Sequence, residues 1–147
     1  MKVNKTLAKE FFKENVDDYK TGFYEAGFRT FMSVRQERIL GEIDKLNLKA
    51  GARCLDAGCG PGYISLALLQ RGFKVTSFDA SPEMLRLTEN LINENSDGKA
   101  KGSEIILGDI EELPFNENDF DLVVSAGVIE YLNEDDRVLS EFRRVMN

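Results

Sequence analysis

The sequence predicts an α/β fold, a doubly wound and mostly parallel sheet. Three observations carry that prediction. Short apolar runs that read as buried strands alternate with longer segments of helical period. The first run, from Arg53, breaks into three glycines in five residues, Gly58, Gly60 and Gly62, and an apolar helical run over residues 63–69 follows. The next two strands end in acidic residues, Asp79 and Asp109. Strand, glycine-rich turn and helix make a nucleotide site in a parallel sheet, with ligands at the carboxyl ends of the strands.

Composition narrows the class of function. A chain of 147 residues is one domain of ordinary size, and 42% hydrophobic residues suffice for a core. The net charge of −7 and pI near 4.7 argue against nucleic acid and against an anionic membrane surface, because both are met with Lys and Arg. No apolar run approaches the length of a spanning helix, and no apolar stretch follows the basic first residues as in a signal peptide. The expected location is therefore the cytoplasm. Cys54 and Cys59 are not spaced as C-x-x-C, and the chain has no histidine. Both cysteines read as free thiols and no metal site is expected. The usual general base is absent as well.

Residues 1–50 read as an amphipathic helical lid. Leu7, Phe11, Phe12, Val16 and Tyr19 fall at helical spacing. After Gly22 and Gly27 a second helix covers residues 28–46, with Phe31, Val34, Ile39 and Ile43 as its apolar face. Residues 47–51 turn into the first strand, which opens an α/β core over residues 51–147. Glycines suit the turn after that strand because they reach positive φ without strain and let a ligand lie against the backbone. The following helix turns free N–H groups toward such a ligand. A dinucleotide fingerprint, G-x-G-x-x-G, would place its third small residue at Tyr63, one residue beyond Gly62.

Residues 73–78 form the second strand, closed by Asp79-Ala80-Ser81-Pro82. A carboxylate at this tip, 19 residues past Gly60, can accept hydrogen bonds from both hydroxyls of a ribose. An ordinary turn carboxylate is the competing reading. Ser81 is a good N-cap, Pro82 suits the first helical position and Glu83 favours the helix dipole. That helix runs to Asn95 with Leu85, Leu91 and Ile92 inward. A polar loop follows, then a third strand over residues 104–107 ending in Gly108-Asp109-Ile110. Residues 119–126 hold the fourth strand, apolar enough to be covered on both faces. Asp121 opens it at the end away from the site and reads as structural. Residues 127–132, with Glu130 and Tyr131, leave its carboxyl end, where ligands sit in an open α/β sheet. Asn133 caps a last helix to residue 146, with Val138, Leu139, Phe142 and Val145 inward and Arg143 and Arg144 near its C-terminus.

Residues 55–62, Leu-Asp-Ala-Gly-Cys-Gly-Pro-Gly, resemble motif I of the class I methyltransferases that use S-adenosylmethionine, and match every fixed residue of L-D-x-G-C-G-x-G. Leu113-Pro114-Phe115 before an acidic loop and Phe120-Asp121 is another phrase of that family. The resemblance implies a Rossmann-like sheet of order 3-2-1-4. It covers residues 35–147 and only the first half of a family domain. Relatives continue with Lys-Pro-Gly-Gly and three further strands, so the core reads as truncated. The implied cofactor is S-adenosylmethionine. Asp56 would anchor its ammonium, directly or through water, while Gly58, Cys59, Gly60 and Gly62 admit the methionyl part. Asp79 would take the ribose, Asp109 and Ile110 the adenine, and Ala80 and Ala126 would be further cofactor-binding residues. Glu130 and Tyr131 would touch the acceptor or take its proton. Tyr19 lies near a family position that faces cofactor or substrate, although an ordinary core aromatic fits it as well. Many relatives carry a histidine near Glu130, and this chain does not.

The function implied is methyl transfer to a small-molecule acceptor. A cofactor-binding remnant without catalysis and an NAD-dependent oxidoreductase are the alternatives; the place of Gly62 speaks against the second. With no fifth strand, residues 122–126 would form an open apolar edge. That edge invites a homodimer or a completing partner along the fourth strand.

Overall fold

The computed structural model describes residues 10, 13–15, 31–95, 102–129 and 135–147. Three helices and three strands alternate first: α1 (Phe31–Lys45), β1 (Arg53–Ala57), α2 (Tyr63–Gln70), β2 (Lys74–Asp79), α3 (Pro82–Asn95) and β3 (Ser103–Leu107). β4 (Leu122–Val124) and α4 (Asp135–Val145) complete the described elements. The strands form one parallel sheet in the order β3-β2-β1-β4, as the sequence led us to expect. Asp56 of β1 lies beside Ser77 of β2 and Val124 of β4, which fixes the register at the carboxyl ends.

Strand side chains alternate between two cores. Leu55, Ala57 and Phe78 meet Ile110, Leu113, Phe120, Val138 and Val145 on the face that α4 covers. Cys54, Val75 and Val124 meet Ile43, Leu68, Leu69, Phe73 and Ile92 on the face of α1, α2 and α3. Ser81 caps α3 as its sequence suggests: its Oγ accepts from the Met84 N–H at 3.2 Å. Asp121 is structural, accepting from the Arg53 N–H at 2.7 Å where β1 begins. Arg144 donates to the carbonyls of Leu113 and Phe115 at 3.0 and 2.7 Å and pins the connection between β3 and β4.

Three details differ from expectation. Leu139 is 51% exposed, because the inward stripe of α4 is Val138, Phe142 and Val145 and residue 139 lies about 100° around the helix from it. On α1, Met32 is buried with Ile43, whereas Val34 is half-buried. The fourth strand is shorter than residues 119–126, and its edge is not wholly bare. Phe120 pairs in parallel with Met146: the Phe120 N–H donates to Val145 O at 2.9 Å and the Asn147 N–H donates to Phe120 O at 2.8 Å. Over Leu122–Val124, β1 is the strand partner among the described residues.

Candidate functional site

The glycine turn folds back over the end of β2. The N–H groups of Gly58 and Cys59 both donate to Phe78 O, at 2.7 and 3.1 Å. Gly62 stands at the N-cap of α2 with φ of +87° and offers that helix no side chain. Its missing side chain also makes room for α3. A Cβ at Gly62 would meet Thr88 Cγ2 at 2.7 Å, Oγ1 at 2.8 Å and the Thr88 Cα at 2.9 Å. Gly60 differs: at φ of +54° a Cβ there would meet nothing within 4 Å. The bare face of Gly60 therefore opens onto empty space at the carboxyl ends of β1 and β2.

Asp79 ties this turn to the next one. One carboxylate oxygen accepts from the Gly60 N–H and the other from the Ser81 N–H, both at 2.9 Å. Asp79 O accepts from the Gly108 N–H at 3.0 Å, which brings the third loop alongside. There Asp109 accepts from the Glu111 N–H at 3.0 Å. Ile110 is 7% exposed and packs in the core, so only a thin edge of its side chain remains for a ring. Ala80 and Ala126 are half-buried at the tips of β2 and β4. The structure thus gathers Asp56, Gly58, Cys59, Gly60, Gly62, Asp79, Ala80, Asp109 and Ala126 at one end of the sheet. Tyr19, Glu130 and Tyr131 lie outside the described residues.

Asp56 occupies a different layer. It is 1% exposed, and both the hydroxyl of Ser65, at 2.6 Å, and the Ser65 N–H donate to it. The Ser65 hydroxyl accepts in turn from Ser77 at 2.8 Å. Ser65 is the third residue of α2, so Asp56 supplies the cap that Gly62 cannot. Burial pushes the Asp56 carboxyl up to about 7, with Asp79 adding to the shift and the Ser65 donors opposing it. The cysteines are not nucleophiles at neutral pH. Burial raises Cys54 to about 12, and burial with the nearby Asp56 and Asp79 holds Cys59 well above the ordinary thiol range.

Sequence reasoning missed Arg35, Ser65, Thr88 and Ser125. The amino half of α1 reaches the site: Gln36 donates to Tyr63 O at 3.2 Å, and the Arg35 guanidinium lies where a Cβ on Gly127 would be, 2.6 Å from Nη1. Ser125 Oγ is buried and without a hydrogen-bond partner among the described residues, just past β4. Thr88 and Ser65 carried a readable signal. Each is a small polar residue on the inward stripe of its helix, Ser65 on the apolar α2 and Thr88 on the amphipathic α3 between Leu85 and Ile92.

The donor set suits a nucleoside cofactor bearing an amino-acid tail. A bare glycine face and a carboxylate at the tip of β2, with a buried hydroxyl past β4 that has no partner among the described residues, leave polar room at the carboxyl ends. Comparison with known proteins agrees. A family model described as a methyltransferase domain matches residues 55–147. A malonyl-[acyl-carrier protein] O-methyltransferase of Hamiltonella defensa is 32% identical over 143 residues, 97% of this chain and 49% of that protein. The chain thus spans about half the length of this curated relative. The fold matches a candidate S-adenosyl-L-methionine-dependent methyltransferase of Methanococcus maripaludis with a TM-score of 0.73 and 23% identity, covering 100% of this chain and 61% of the other. A phosphoethanolamine N-methyltransferase of Haemonchus contortus, solved with S-adenosylhomocysteine, matches with a TM-score of 0.66 and 25% identity, over 76% of this chain and 26% of the other. The chain belongs to the methyltransferase domain family, the class I S-adenosylmethionine-dependent methyltransferases.

Proposed function

We propose that this chain forms the cofactor half of a cytoplasmic enzyme that transfers the methyl group of S-adenosylmethionine to a small-molecule acceptor. One observation carries the reading. The Gly60 face is open and its N–H is held by Asp79, so a bare backbone surface and a ribose-reading carboxylate sit side by side. The relatives above are named for O- and N-methylation, and the acceptor is therefore assigned here only as a small molecule.

The cofactor brings a sulfonium leaving group, so the protein's task is alignment. Holding two reactants in line is worth about 7–11 kcal/mol. In this reading the Asp79 carboxylate receives the ribose hydroxyls, beside Ala80. Asp109 and the edge of Ile110 receive the adenine. Gly58, Cys59, Gly60 and Gly62 floor the methionyl tail, and Ala126 borders it. Asp56 acts on the ammonium through water or through its charge, since its carboxylate is buried against Ser65. Glu130 and Tyr131 are proposed to meet the acceptor and take its proton, with Tyr19 lining the same mouth. A completing strand, from a second copy or a partner, is proposed along Leu122–Val124, in line with the parallel pairing begun at Phe120 and Met146.

Calorimetric titration with S-adenosylhomocysteine tests the assignment. The wild-type chain binds it and does not bind NAD. Asp79→Ala loses at least about 1.5–3 kcal/mol of affinity, the value of hydrogen bonds to a charged group. Unchanged affinity in that variant would remove Asp79 from the ribose site.

A further inference from the structure

Thr88 stands on α3, fully buried, and no part of the proposed chemistry uses it. Its hydroxyl donates to Gly60 O at 2.7 Å. Cys59 Sγ lies 3.7 Å from both Thr88 Oγ1 and Gly60 O, a weaker contact beside the same carbonyl. Gly60 is thus held from both sides. Asp79 takes its N–H at 2.9 Å, and Thr88 gives a proton to its carbonyl at 2.7 Å. Both holders come from one segment, the tip of β2 and the helix after it.

Glycine has the widest backbone freedom of any residue, and a flexible floor reduces apparent affinity by the fraction of time it is misplaced. We infer that Thr88 is a positioning residue of the cofactor site: its hydroxyl, rather than its bulk, fixes the Gly60 peptide so that the bare glycine face is presented to the ligand. The inference rests on the reading of this turn as the cofactor floor. Bulk is the rival explanation, because the Thr88 γ-methyl also fills the space above Gly62.

Two pairs of variants separate hydroxyl from bulk. Thr88→Val keeps the shape and loses the hydroxyl. Thr88→Ser keeps the hydroxyl and loses the methyl, and Thr88→Ala differs from Thr88→Ser in the hydroxyl alone. The probe is S-adenosylhomocysteine, titrated by calorimetry well below each variant's unfolding temperature. A net hydrogen bond predicts a loss of about three- to tenfold in affinity for Thr88→Val relative to wild type, and for Thr88→Ala relative to Thr88→Ser. Thr88→Ser itself stays within about twofold of wild type, since its hydroxyl keeps the same acceptor. If Thr88→Val does not fold, the alanine–serine pair decides.

Amide hydrogen exchange gives a local readout. Without the hydroxyl the Gly60 amide exchanges faster, while the Val75 amide, bonded to Gly102 O at 2.8 Å within the sheet, keeps its protection relative to global unfolding. Equal affinities across each pair, or a loss in Thr88→Ser as large as in Thr88→Val, would overturn the inference while leaving the cofactor assignment intact. A wild-type chain that binds no S-adenosylhomocysteine would overturn both.

Discussion

Replacing Asp56 by asparagine should stabilise the protein at pH 8 and weaken its cofactor site. Asp56 is 1% exposed, and burial holds its carboxyl near 7 rather than the ordinary 3.8. The sign follows from which state keeps the proton. Between pH 3.8 and about 7 the folded chain retains a proton that the unfolded chain has released, so stability falls as pH rises through that window. Above 7 the loss is complete. The gap is about three pH units, and at 1.36 kcal/mol each it amounts to about 4 kcal/mol. Asparagine carries no such penalty and can still accept from Ser65. Its amide N–H must instead find an acceptor, and failure to do so costs about 1–3 kcal/mol. The net expectation at pH 8 is a gain of about 1–3 kcal/mol, reversing to a loss near pH 4 where both side chains are neutral. Urea denaturation of both proteins at several pH values measures this through the midpoints at constant m. A difference in stability that does not change between pH 5 and 8 would refute the assignment of the buried charge. Parallel titration with S-adenosylhomocysteine should show weaker binding by Asp56→Asn, because the charge that destabilises the fold is the one proposed to act on the ammonium, through water or through its field.

The two inner glycines should part company. Gly60→Ala places a methyl in open space at a left-handed φ, a backbone cost of about 1–2 kcal/mol, yet it should lower affinity for S-adenosylhomocysteine by about tenfold or more as the methyl enters the ligand's place. Gly62→Ala meets Thr88 as well, and overpacking adds about 1–3 kcal/mol, so its thermal unfolding should fall well below that of Gly60→Ala. The reverse ranking would show that the open face belongs to Gly62. Asp121→Ala should lose about 1 kcal/mol of stability, the net value of its bond to the Arg53 N–H, and leave cofactor affinity unchanged; a change in affinity would mean that this end of the sheet also communicates with the site.

Much of the fold was legible because its signals are local. The apolar run before Gly58, the Ser81-Pro82-Glu83 start of α3 and the acid at each strand tip depend on neighbours in sequence, and the structure places them as expected. Leu139 was misjudged because an amphipathic stripe read without its partner surface is uncertain by one position, about 100° of rotation. The pairing of Phe120 with Met146 joins residues far apart in sequence, and no local pattern announces it. The same holds for the partners of the site. Asp56 could be read as an acid before a glycine turn; that it caps α2 through Ser65 depends on how that helix docks on the sheet.

These dual attachments change how substitutions here must be interpreted. Asp79 holds the Gly60 and Ser81 amides, Asp56 caps a helix, and Thr88 holds a carbonyl of the turn. A residue that both shapes the turn and meets the ligand loses two functions when truncated, and a fall in activity alone cannot apportion them. Asp79→Ala removes the acceptor of two backbone N–H groups along with the proposed ribose contact, so its loss of affinity sets an upper bound on that contact. Gly60 stands apart, since its side chain is only a hydrogen and a Cβ there would touch no protein atom within 4 Å. A methyl at that position acts on the ligand with little disturbance of packing. For that reason Gly60→Ala, rather than any of the carboxylate variants, separates the site from the scaffold that holds it.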